Sequence, residues 1–225
     1  MRHLKFLIFP FFIFFLIGCK KDKDPIQPQD DSSEMTDTRD GQKYKICKIN
    51  NQWWMAENLN YYIPTGSWYY NNDSITYSKP CGRLYLWNVA MVNHASSGSN
   101  PSGVQGISPP GWHIPSYDEW KQLEEYLTTQ NMNGDDLKET GLTHWPAPNT
   151  GTNKTLFNAV PAGTVYGDGN AYVYANIDYQ TTFLTSTIDN RTGGVWGFGL
   201  DRDKSIITNN PIGLQNGWSI RCVKD

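Results

Sequence analysis

The sequence predicts an α+β domain over residues 40–225, and three observations carry that reading. A β-hairpin pattern opens the domain, a helix entry with a full set of start signals stands near its middle, and short strands separated by glycine turns fill its last third. The chain's 225 residues suit one such domain with appendages rather than two full domains.

The appendages come first. MRHLK is a basic start, and Phe6 to Ile17 is an apolar run too short for a bilayer, which needs about 20 residues. Residues 1–18 therefore read as a signal peptide. Leu16-Ile17-Gly18-Cys19 resembles a bacterial lipobox, which makes Cys19 the expected lipidation site, carrying diacylglyceryl and palmitate-type chains. Removal of Arg2 and Lys5 with the signal moves the formal charge from −3 to −5. Residues 20–39, KKDKDPIQPQDDSSEMTDTR, have too few apolar groups to offset the entropy of ordering, so 19–39 reads as a disordered tether. The mixed Lys/Asp run after Cys19 resembles export signals of lipoproteins on the outer face of the outer membrane. The expected location is accordingly the outer membrane, facing the cell exterior.

Within the domain, QKYKICKI and WWMAENL flank Asn50-Asn51-Gln52 as a hairpin. A Tyr/Asn-rich loop follows from Tyr61 to Tyr77. Residues 82–92 then lack Gly and Pro after Gly82 and place Leu84, Trp87 and Met91 at helical spacing, which predicts a first helix. In GWHIPSYDEW (residues 111–120) Ser116 and Glu119 form a capping box and Asp118 complements the helix dipole. Trp120, Leu123 and Leu127 then give the second helix its apolar stripe. From Phe157 onward LFNAVPAG, AYVYANI, TFLTSTI, VWGFGL, SIIT and GWSIRCVKD read as strands, the last with Trp218, Ile220 and Cys222 alternating against Ser219 and Arg221. A strand at the very end needs a sheet waiting for it, and the N-terminal hairpin would supply one, bringing the domain's ends together.

Composition excludes some functions. With 19 basic and 22 acidic residues there is no basic stripe for a phosphate backbone, so nucleic acid is not an expected partner. His113 lacks a second ligand at metal spacing and reads as a structural histidine; His94 and His144 stand alone. Asp201-Arg202-Asp203-Lys204-Ser205 starts like a calcium loop, but Ile206 occupies the turn-glycine position and the closing Glu is missing. The expectation is no metal, no cofactor and no catalytic constellation.

Five blocks now carry a resemblance: DGQKYKICKINNQWWMAENLNY, GRLYLWNVAM, GWHIPSYDEWKQLEEYL, FNAVPAG and WSIRCVKD. In that order they resemble the Fibrobacter succinogenes major paralogous domain of surface lipoproteins, across nearly all of 40–225. That family is similar in turn to C-type-lectin-like and formylglycine-generating-enzyme folds. The resemblance implies a mixed or antiparallel sheet, two helices, long loops and adjacent termini, and it implies no chemistry. Members usually carry a cysteine at the position of Ser108, paired with the cysteine of the final strand, so that bridge is missing here. A Cys47–Cys222 disulfide is one reading of the remaining thiols, and buried free thiols are the other. Cys81 has no evident mate for an oxidase-type copper pair.

The function expected is therefore a non-catalytic cell-surface module that binds an extracellular glycan or a surface protein. Its aromatic loops offer Trp68, Tyr69 and Tyr70, then Trp145, then Tyr166, Tyr172 and Tyr174, whose faces stack on sugar rings. For each of them core packing is the alternative. An enzyme distantly related to formylglycine-generating enzymes and a structural subunit of a surface assembly are the competing classes.

Overall fold

The computed structural model of the protein describes residues 32–167 and 171–225. The signal peptide, Cys19 and most of the expected tether lie outside the described residues. In chain order the strands are β1 (Ser32–Thr36), β2 (Lys43–Ile49), β3 (Gln52–Met55), β4 (Ser67–Trp68), β5 (Leu84–Tyr85) and β6 (Trp112–His113). They continue as β7 (Ala162–Gly167), β8 (Tyr172–Ile177), β9 (Gln180–Ile188), β10 (Val195–Asp201), β11 (Thr208–Ile212) and β12 (Val223–Lys224). The helices are α1 (Ser74–Cys81), α2 (Trp87–Met91) and α3 (Tyr117–Thr129), with 3-10 turns at Tyr70–Asn72 and Gly134–Asp136. The fold is mixed α+β, with three α-helices among the described residues where two were expected.

One sheet runs β1-β2-β3-β12-β6 and a second runs β11-β10-β9-β7-β8, with β4-β5 as a separate pair. The final strand does find the N-terminal hairpin, Val223 pairing with Trp54 on one side and His113 on the other. Because side chains alternate across a sheet, the first sheet feeds two cores. Cys47, Ile49, Trp54 and Val223 face a core containing α3, where Trp120 stacks on Phe183 and Phe198 with ring centroids 5.3 and 5.1 Å away. Tyr44, Ile46, Met55, Ile220 and Cys222 face the other core, with Tyr85, Met91 and Trp112.

This parity corrects the disulfide reading. Cys47 pairs with Trp54 and Trp54 with Val223, so Cys222, one residue before Val223, projects from the opposite face. No Cys47–Cys222 bridge forms, and all three described cysteines are buried thiols. Burial pushes the Cys222 thiol up to about 12, while the Ser108 hydroxyl beside it pulls the other way. Ser108 thus occupies the place next to the last-strand cysteine that the resemblance implied for a partner cysteine.

In two further corrections, at Ser32–Thr36 and at Leu84–Tyr85, long-range backbone pairing overrides local pattern. Ser32–Thr36, assigned to the tether, pairs along β2, with Glu34 2.8 Å from Lys43 and Met35 packed on the second core. The ordered unit therefore starts before residue 40. Leu84 and Tyr85 form β5 rather than the start of a helix, because Tyr85 exchanges two backbone hydrogen bonds with Trp218, at 2.8 and 3.0 Å. Helix α1 begins inside the stretch read as loop and runs on to Cys81, capped by Asp73, whose carboxylate accepts from the Ile75 and Thr76 amides. The LFNAVPAG strand begins only at Ala162, since Leu156 and Asn158 have φ of 62° and 55°. The SIIT segment gives way to β11, which starts at Thr208.

Candidate functional site

The region first suspected of chemistry is the helix entry at residues 111–120. Ser116 Oγ accepts from the Glu119 amide at 3.2 Å, and Glu119 Oε2 accepts from the Ser116 amide at 2.9 Å, completing the capping box. The fully buried Glu119 carboxylate also accepts from the Ser102 amide and from Gln52. His113 lies between two carboxylates, Nε2 2.7 Å from Glu119 Oε1 and Nδ1 2.7 Å from Asp225 Oδ1. Its side chain is 3% exposed. Both ring nitrogens are engaged and the ring is covered, so the cluster ties α3 to β6 and to residue 225.

The cluster has a pH signature. Burial alone would lower the His113 pKa, but hydrogen bonds and charge from Glu119 and Asp225 outweigh it and raise the value above 6.5. A folded pKa above the unfolded one means stabilisation that is complete below about pH 6.5 and is lost as pH rises through the folded value. Guanidinium midpoints of wild type against His113→Gln, taken from about pH 6 to 9, should therefore converge as pH rises. A difference independent of pH would contradict the charged, doubly paired histidine.

The stretch that begins like a calcium loop is organised around an ammonium. Lys138 Nζ donates to the carbonyls of Asp201, Arg202 and Lys204, each at 3.1 Å, and lies 2.8 Å from Asp135 Oδ1. Its side chain is fully buried, with the Trp145 ring 5.7 Å away. Asp201 Oδ2 in turn takes Lys204 Nζ at 2.7 Å. The carbonyls that would face a cation thus converge on a lysine from elsewhere in the chain.

Of the aromatic residues expected to bind, the structure keeps some and removes others. Trp145 is completely buried, its indole N–H donating to the Ala159 carbonyl at 2.8 Å, so it belongs to the core and not to a binding loop. Tyr70 is also buried, under the rings of Tyr77 and Tyr174. Tyr69 lies over the Arg83 guanidinium at 3.9 Å. Tyr166 pairs with Val173 across β7–β8 and so projects from the face opposite Tyr172 and Tyr174.

What remains is a platform. Trp68 and Tyr172 lie 4.5 Å apart between ring centroids, tilted by 48°. Each rests on a glycine: a Cβ at Gly167 would sit 2.8 Å from the Tyr172 ring, and one at Gly217 3.2 Å from Trp68. These glycines let both rings lie down on the strands, a close approach that glycine within a strand often marks. Tyr172 is 47% exposed. Tyr174, two residues along β8 on the same face, donates to Asn72 Oδ1 at 2.9 Å, and the exposed Gln215 brings its carbonyl to Gly167. Asn72 and Gln215 were not singled out from sequence; the glycines at 167 and 217 were the available signal.

Comparison with known proteins supplies one match. No curated protein and no solved structure matches the chain. The family model described as the Fibrobacter succinogenes major domain matches residues 47–224, which take in α3, the second sheet, the platform and the first sheet apart from β1 and the start of β2. The chain therefore belongs to the Fibrobacter succinogenes major domain family.

Proposed function

We propose that the protein is a surface-displayed, lipid-anchored module with a C-type-lectin-like fold that holds an extracellular glycan without turning it over. The observation that carries this reading is the Trp68–Tyr172 platform: two rings in contact, each lying against a glycine, with Tyr172 half exposed and Trp68 partly buried beneath the same surface. Aromatic faces contact the C–H side of a sugar ring while amides bond its hydroxyls. The His113–Glu119 pair supports the non-catalytic half, because both side chains are buried and held by partners within the fold.

A glycan array probed with the full-length protein tests the reading. Binding should appear and should fall by about tenfold or more in Trp68→Ala, the loss of roughly 1.4 kcal/mol or more of stacking. An unchanged array pattern in Trp68→Ala would move the site elsewhere. The anchor is tested separately: Cys19→Ala should abolish labelling by palmitate and release the protein from the membrane fraction, and persistent labelling would contradict Cys19 as the acceptor.

A further inference from the structure

Arginine is rarely buried unless paired, because burial strips its charge of water, and two arginines of this fold obey the rule. Arg221 is held by four oxygen acceptors. Arg39 gives Nε and Nη2 to the Asp37 carboxylate at 2.9 and 2.6 Å, donates Nη1 to the Ile107 carbonyl, and lies 3.9 Å from the centroid of the Tyr61 ring. Arg83 repeats that second arrangement with one part missing. It is 7% exposed, lies over the Tyr69 and Tyr62 rings at 3.9 and 4.8 Å, and donates Nη1 to Ser67 Oγ at 3.3 Å. Among the described residues no carboxylate pairs with it.

The donors left empty share one edge. Arg83 Nε is buried without a hydrogen-bond partner, and Nη2 has none either among the described residues, although it is not sealed from solvent as Nε is. In the planar guanidinium these two N–H groups point the same way, which is the edge a carboxylate takes with two oxygens and the edge that Asp37 takes on Arg39. Ser67 does not replace a counter-ion, since its uncharged hydroxyl already donates to the Ile63 carbonyl at 2.6 Å. The tyrosine rings offer the cation an electron-rich face but no opposite charge. Tyr62, 60% exposed, is the neighbour that meets solvent, and a turn of its side chain widens the approach.

We propose that Arg83 anchors a carboxylate-binding site, in which a sugar acid or a small organic acid places two oxygens on Nε and Nη2 beside the Tyr62 ring. One guanidinium balances one negative charge, which suits a carboxylate better than a phosphate group carrying about 1.5–2. Ser67 pairs with Tyr85 and Trp68 with Leu84, so the contact with Ser67 sets Arg83 on the side of the β4–β5 ribbon away from Trp68. The site shares no residue with the Trp68–Tyr172 platform and stands independently of it.

Ligand-observed NMR on the full-length protein, with galacturonate, its methyl ester, succinate and inorganic phosphate as probes, tests the proposal. At least one of the two acids should bind more tightly than phosphate; galacturonate alone identifies a sugar acid, succinate alone a small organic acid, and both a site open to either. Arg83→Met should weaken that binding about tenfold or more. Arg83→Lys, which keeps the charge without the fork, should weaken it as far. No acceptor is stranded by Arg83→Met, since Ser67 Oγ keeps its bond to Ile63, so this variant should melt within about 4 °C of wild type. Trp68→Ala should leave acid binding unchanged. Binding of neither acid, tighter binding of phosphate, acid binding that survives Arg83→Met or Arg83→Lys, ester binding that Arg83→Met removes, or loss in Trp68→Ala would each overturn the proposal. So would a larger fall in the melting temperature of Arg83→Met, which would show a guanidinium already satisfied by the fold.

Discussion

Lys138→Met should lower stability by about 3–5 kcal/mol, the range for removing one partner from a buried charged cluster. Methionine fills the volume but leaves the carbonyls of Asp201, Arg202 and Lys204 without their buried donor, and Asp135 without its ammonium. A net stability of about 5–15 kcal/mol makes that a large fraction of the whole. At roughly 2–4 °C per kcal/mol for a domain of this size, the melting temperature should drop by about 10 °C or more. Thermal unfolding followed by circular dichroism checks it. A shift within about 2 °C, equivalent to under 1 kcal/mol, would mean that water serves these carbonyls equally well.

Arg221→Met should be comparably damaging, at about 3–5 kcal/mol. The guanidinium, 1% exposed, donates to the carbonyls of Met55, Phe157 and Asn158 at 3.1, 2.6 and 3.2 Å and to Asn58 Oδ1 at 2.5 Å. It also lies over the Phe157 ring at 4.6 Å. Burial pushes its pKa down to about 9, still charged at neutral pH. It therefore joins β12 to the end of β3 and to the 157–158 segment through four acceptors. Arg221→Lys should fail to rescue, since one ammonium cannot reproduce a planar fork of five donors. Urea midpoints for the two variants measure this, and full rescue by lysine would show that charge alone, not the fork, is needed.

These two residues also show where reading from sequence stops. The Ser116–Glu119 box and the Trp120, Leu123, Leu127 stripe were legible because the cap spacing and the helical period that signal them lie within one helix. The period of two over residues 218–223 was legible as well: Trp218, Ile220 and Cys222 share one core and Val223 faces the other, although the strand itself is only Val223–Lys224. That Arg221 faces inward was not legible, because its acceptors come from residues 55, 58, 157 and 158. The same holds for Trp145, whose polar neighbours suggest a surface loop while its partners are Ala159 and Lys138. Leu84 and Tyr85 fit a helical spacing and a strand equally well, and only the pairing with Trp218 decides. At the platform Trp68 and Tyr172 were both singled out from sequence as aromatic loop residues, but their juxtaposition depends on β4, β7 and β8 meeting across more than a hundred residues of chain.

The central claim, that ligand is held on the Trp68–Tyr172 platform, is tested most directly by calorimetric titration of the strongest array glycan against wild type, Tyr172→Phe and Tyr172→Ala. Tyr172 is half exposed and takes no part in the three buried cores, so all three proteins should melt together. Phenylalanine keeps the ring face and should keep affinity within about threefold, whereas alanine should lose about tenfold or more. Full affinity in Tyr172→Ala, with the fold intact, would contradict the account.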